Sequence, residues 1–142
     1  MEKKEITLSF GSTYENIEAA GLCVHAICLD VEMSADDCNL VHSAVIEALT
    51  NILKHAYENV LNMPIEMYLT NSDNNIVISI RDIGKPWLQK KPVKLKFDPH
   101  DISSIRESGM GIPIIYMAMD NITRIENNGK NVLTMTKSIN RN

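Results

Sequence analysis

Apolar and polar residues alternate through EITLSF (residues 5–10), the period of a half-buried strand. The period then changes. Tyr14, Ile17, Gly21, Val24, Cys28 and Val31 recur at helical intervals behind Ser12 and Glu15, a capping-box spacing, and predict a helix over about 13–31. Ser34 and Asp37 repeat the capping signature and open a second helical pattern that runs to about Tyr57. IEMYLT (65–70) and NIVISIRD (75–82) are β-rich runs separated by NSDN, and predict an antiparallel hairpin. Residues 85–108 keep no period and contain Pro86, Pro92 and Pro99, so they are expected to form a long irregular connection of the kind that is usually functional. IPIIYMAMD (112–120) reads as a helix with Pro113 in its first turn, and NITRIEN and NVLTMTKSI flank Asn128-Gly129, a hairpin signal.

The order β-α-α-β-β-loop-α-β-β cannot make a run of classical βαβ units. It predicts an α+β fold, a two-layer α/β sandwich with a mostly antiparallel mixed sheet and helices on one face. At 142 residues, one domain covering 1–142 is expected. With 44% hydrophobic and 23% charged residues, neither disorder nor a fibrous repeat is suggested. No apolar run approaches the roughly 20 residues of a membrane span, and the start lacks a signal peptide's apolar region, so the expected location is cytoplasmic, with no membrane partner. A net charge of −4 argues against direct nucleic-acid binding. Cys23, Cys28 and Cys38 show no CxxC spacing and read as buried reduced thiols.

The second helix carries the chemistry. On a wheel of about 100° per residue, Glu47, Asn51, Lys54 and His55 share one side with Ser43, Ala44 and Thr50, while Val41, Val45, Ala48, Leu49, Ile52 and Leu53 lie opposite. Alone, such a stripe is an ordinary solvent-facing surface. Two later stretches change that. RDIGKPW (81–87) closes an apolar strand with Asp82 and follows it with Gly84; ESGMGIP (107–113) leads into a helix through Gly109, Met110 and Gly111, where glycines permit close backbone approach and a helix start favours phosphate.

In this order and spacing, EALTNILKHAY, RDIGK and ESGMGIPIIYMAMD resemble the N, G1 and G2 boxes of the ATPase superfamily of gyrase, the heat-shock 90 chaperone, histidine kinases and mismatch-repair proteins (GHKL). Within it, the chain from about residue 5 to Lys137 is similar to the bacterial anti-sigma-factor serine/threonine kinases. The resemblance implies a Bergerat-type ATP-binding fold, ATP and Mg²⁺ as cofactors, Glu47 as general base toward a hydroxyl, and Asn51 as the Mg²⁺ ligand. It implies that Asp82 accepts from the adenine amino group, that Gly84 gives the base room, and that the backbone at Gly109, Met110 and Gly111 wraps the phosphates. Residues 85–108 correspond to the ATP lid, whose Lys85, Lys90, Lys91, Lys94 and Lys96 are expected near phosphate, and Lys54 and His55 are further candidates at the site. The implied partners are an anti-anti-sigma protein of the STAS type as phosphoacceptor and a sigma factor held by a homodimer.

Two positions depart from the pattern: Pro86 stands where a second glycine is usual, and Lys130-Asn131 where Gly-Thr often precedes the last strand. Two other readings stay open here: a nucleotide-gated partner-binding module without kinase activity, and a detached histidine-kinase catalytic domain. The second lacks a preceding helix with a phosphoacceptor histidine, and His25, His42 and His100 do not supply that setting. Met110, Met117 and Met119 read as core filler.

Overall fold

A computed structural model describes residues 3–86 and 111–139. Strand β1 is Glu5–Gly11, followed by helix α1 (Tyr14–Asp30) and helix α2 (Ala35–Asn51), which continues as a π turn over Ile52–Ala56. Strands β2 (Pro64–Asn71) and β3 (Asn75–Asp82) follow, then helix α3 (Gly111–Ala118) and strands β4 (Asn121–Asn127) and β5 (Lys130–Ser138). The five strands form one sheet in the order β1-β2-β3-β5-β4, every neighbouring pair antiparallel. The predicted sandwich is present, and its sheet is antiparallel throughout.

Alternation sets the faces. Ile65, Met67 and Leu69 of β2 stand beside Ile80 and Ile78 of β3, and these with Met135 of β5 are at most 2% exposed. Each such side chain contributes about 1.5–3 kcal/mol of burial. Val24 and Cys28 of α1, Val41, Val45 and Leu49 of α2, and Ile115 and Ala118 of α3 close the same core from the helical side.

Several local expectations change. The cap of α1 is Thr13, whose Oγ1 accepts from Asn16 N at 3.1 Å. Ser12, one residue earlier, is fully buried and serves a longer-range tie: its Oγ donates to Val60 O at 2.9 Å and accepts from Met63 N at 3.0 Å. Ser34 caps α2 as expected, accepting from Asp37 N at 3.2 Å. Asn128 and Gly129 both take positive φ, 52° and 77°, the conformation the closing turn demands. Cys28 and Cys38 are buried thiols, but Cys23 is exposed, and Met117 also faces solvent while Met119 joins the core.

Candidate functional site

Strand β5 fixes the length of the site. Near its end Lys137, only 11% exposed along its side chain, reaches Asp37 in the first turn of α2 at 3.8 Å and Asp120 after α3 at 3.6 Å. Near its start Asn131 bonds Asp82, at the end of β3. The 17 residues of α2 cover about 25 Å, and the six steps from Asn131 to Lys137 cover about 20 Å. The helix therefore starts over one end of β5 and delivers Glu47 and Asn51 toward the other, where Asp82 lies. Helix α3 exits beside β5, with Asp120 N donating to Thr136 O at 2.9 Å, so Gly111 is the end of α3 away from that corner.

The polar stripe of α2 is not simply solvated. Ala44, expected on the free side, is fully buried, because α2 lies between α1 and α3 as well as over the sheet. Glu47 and Asn51 are half-buried. The Glu47 side chain makes no hydrogen bond or ion pair with a described residue. Asn51 Nδ2 is buried without a hydrogen-bond partner among the described residues, an arrangement that costs roughly 1–3 kcal/mol when nothing else satisfies the group.

Beyond Asn51 the helix changes gauge. Tyr57 N donates to Ile52 O at 2.9 Å, the i→i+5 bond of a π turn, a feature frequent at functional sites. Lys54 and His55 lie within this turn and are exposed. The turn abuts the RDIGK segment: Lys85 N donates to Ala56 O at 2.9 Å, and Tyr57 Oη accepts from Ile83 N at 3.0 Å while donating to Pro64 O. Tyr57 is 4% exposed, and burial pushes its phenol up from the ordinary value of 10.0, with the hydrogen bond from Ile83 opposing and the charge of Asp82 adding. No local pattern singled it out.

Gly84 is explained within the protein. A Cβ there would stand 2.4 Å from Ala56 O and 2.6 Å from Ala56 C, so the π turn packed against it by itself requires a glycine. Asp82, 6% exposed, accepts on Oδ1 from Gly84 N at 2.9 Å and from Asn131 Nδ2 at 2.8 Å. Lys85 pairs with Glu58. A cleft of about 630 Å³ opens beside this turn, lined by Tyr57, Val60, Met63, Ile83 and Lys85 among others. Neither Glu47, Asn51 nor Asp82 lines it, so it neighbours the candidate site without being it.

The folded chain thus joins the end of α2 directly to the Asp82 turn. Gly109 and Met110, and the lysines at 90, 91, 94 and 96, lie outside the described residues. Among the described residues no group of three His, Cys, Asp or Glu forms a metal cluster. Asn51 does carry a hard oxygen donor of the kind Mg²⁺ takes together with phosphate. Because the Asn51 amide makes no bond with a described residue, turning it to present Oδ1 sacrifices none.

The family model of the histidine kinase-like ATPase domain matches residues 10–137, spanning every element of this site. The chain belongs to that ATPase family. Within the family it is similar to the serine-protein kinase RsbW of Staphylococcus aureus, in strain bovine RF122 / ET3-1 and in strain MRSA252. The identity is 30% over 146 aligned positions, covering 98% of this chain and 91% of each relative. The ATPase fold is also seen in the crystal structure of the RsbU and RsbW domains of a Mycobacterium tuberculosis protein, with a TM-score of 0.70, 13% identity, and coverage of 98% of this chain and 33% of that one. This ATPase domain is thus of the RsbW-like, anti-sigma-factor serine kinase branch. No helix of its described residues is long and apolar enough to cross a membrane.

Proposed function

We propose that this chain binds ATP with Mg²⁺ and transfers the γ-phosphoryl group to a serine or threonine of a small protein, an anti-anti-sigma partner of the STAS type. In the cytoplasm, as a homodimer, it also sequesters a sigma factor. One observation carries the reading. Among the described residues, the Asn51 amide nitrogen is buried without a partner one helical turn beyond a Glu47 carboxylate that pairs with none, on the helix whose end is bonded to the Asp82 turn. A merely solvated stripe has no reason to bury an unsatisfied amide. The relatives in Staphylococcus aureus bear the name serine-protein kinase.

In this reading Asp82 accepts from the exocyclic amino group of adenine, and the start of α3 at Gly111 turns backbone N–H groups toward phosphate. Asn51 Oδ1 holds the metal. Bound Mg²⁺ supplies charge neutralisation across the phosphate oxygens. Glu47 takes the proton of the acceptor hydroxyl as its oxygen bonds the γ-phosphorus and the bond to the bridging oxygen of ADP breaks. Helix α2 keeps Glu47 and Asn51 four residues apart, so base and metal ligand address the same phosphate from one face.

The test is transfer of label from γ-labelled ATP to the STAS-type protein of the same cell, by wild type and Glu47→Gln. Transfer by wild type and a loss of at least about 100-fold in the variant are expected for removal of a general base. Equal transfer by both would overturn the assignment of Glu47, and failure of the wild type to bind ATP would overturn the whole reading.

A further inference from the structure

One of the two departures from the family pattern, Asn131, is bonded to the segment that leads into the other, Pro86. Asn131 Nδ2 lies 2.8 Å from Asp82 Oδ1, 3.1 Å from Gly84 O and 3.2 Å from Lys85 O. Three oxygens around one atom decide the orientation of the amide, since an amide oxygen placed there faces three acceptors and no donor. Lys85, whose carbonyl is one of the three, immediately precedes Pro86, and a following proline biases it toward extended backbone.

The bonds on Asp82 are lopsided. Oδ1 takes two donors, Gly84 N–H and Asn131 Nδ2, while Oδ2 has no partner among the described residues. Asp82 and Asn131 also face each other directly in the β3/β5 register, so the tie is short and built on paired strands rather than on a loop. With Oδ1 engaged, the carboxylate plane is set and Oδ2 remains the acceptor on offer.

We propose that Asn131 is a specificity-determining residue of the nucleotide site. By clamping Oδ1 and the carbonyls of Gly84 and Lys85, it orients Asp82 so that Oδ2 accepts from a base that carries an exocyclic amino group. It rejects a base that presents a carbonyl at that position. The inference rests on the ATP-binding reading above and adds the residue that enforces its choice of base. Asn131 is a positioning residue in this scheme, acting through Asp82.

The experiment compares affinities for ATP, ITP and inorganic tripolyphosphate, each with Mg²⁺, by calorimetry on the full chain. ITP places a carbonyl where ATP carries its amino group, and tripolyphosphate has no base. Wild type is expected to prefer ATP over ITP. In Asn131→Ala, that preference is expected to fall by about tenfold or more, the scale of one lost hydrogen bond to a charged group, with tripolyphosphate affinity unchanged. Asn131→Asp conserves volume while replacing the donor by an acceptor, and is expected to lose the preference too. An undiminished ATP-to-ITP ratio in both variants, or a parallel loss for tripolyphosphate, overturns the inference while leaving ATP binding by the wild type intact. A wild type that binds neither nucleotide overturns the underlying reading and this inference with it.

Discussion

Removing one oxygen atom tests the junction between α2 and the Asp82 turn. In Tyr57→Phe the ring still fills its buried place, so no large cavity opens and the loss is confined to two hydrogen bonds, from Ile83 N at 3.0 Å and to Pro64 O. Each is worth about 0.5–1.5 kcal/mol net, so together about 1–3 kcal/mol. Ile83 and Pro64 are exposed residues, and water reaching their backbone groups keeps the figure from rising to the full cost of buried orphans. For a chain of this size about 3 °C is lost per kcal/mol, which gives a fall in melting temperature of about 3–9 °C. Thermal unfolding followed by circular dichroism reads this directly. Tyr57→Leu, which also removes ring packing, should fall further. A Tyr57→Phe protein melting within about a degree of wild type would refute the claim that the hydroxyl holds the junction together.

Other perturbations address separate parts of the chain. Burial, and then the neighbouring Cys38, pushes the Cys28 thiol up from 9.0 to about 12, so the folded state retains a proton that the unfolded chain releases. That contribution is complete below pH 9 and is lost as pH rises toward 12; at pH 10.5 the loss is about 2 kcal/mol. Urea midpoints at pH 8 and 10.5 should separate more in wild type than in Cys28→Ala, and equal separations would contradict the account. Asp120 is held below its ordinary 3.8 chiefly by Ser138 Oγ and then Ser138 N, aided by Lys137. Its contribution is therefore present above about pH 4 and disappears as pH falls through the depressed value, so the stability gap between wild type and Ser138→Ala should narrow in acid denaturation series. Gly84→Ala drives a methyl into the Ala56 backbone and is expected to cost about 1–3 kcal/mol. At Gly129 the same change meets open space and costs about 1 kcal/mol through its positive φ alone, so an equally mild Gly84→Ala in the same melting assay would count against the packed turn.

Strands β2 and β3 were legible because IEMYLT and NIVISIRD are β-rich runs separated by the turn-forming NSDN, and in the fold their Ile65, Met67, Leu69, Ile76, Ile78 and Ile80 are the alternately buried positions. Glu47, Asn51 and Asp82 were legible as candidates because their spacing and flanking motifs resemble a family. The rest depends on contacts distant in sequence. Ser12 and Thr13 are both competent caps, and what separates them is that Ser12 finds Val60 and Met63 some 50 residues later. Ala44 lies on the polar side of a wheel, yet is buried because α2 is packed between α1 and an α3 that arrives from the far end of the chain. Tyr57 and Lys137 look like ordinary members of a helix end and a strand until the fold brings Ile83 and Pro64 to the one and Asp37 to the other.

The π turn at Ile52–Ala56 bears on how this chain tolerates changes in length. A π turn is an α-helix with one residue to spare, so deleting a single residue within it would restore a regular and locally sound helix. Because the wide turn and the ordinary turn sweep nearly the same angle, Tyr57 would keep its direction toward Ile83 and Pro64 after such a deletion. The turn is thus a store of one residue of length, from which the helix that carries Glu47 and Asn51 can be shortened while its junction with the Asp82 turn persists.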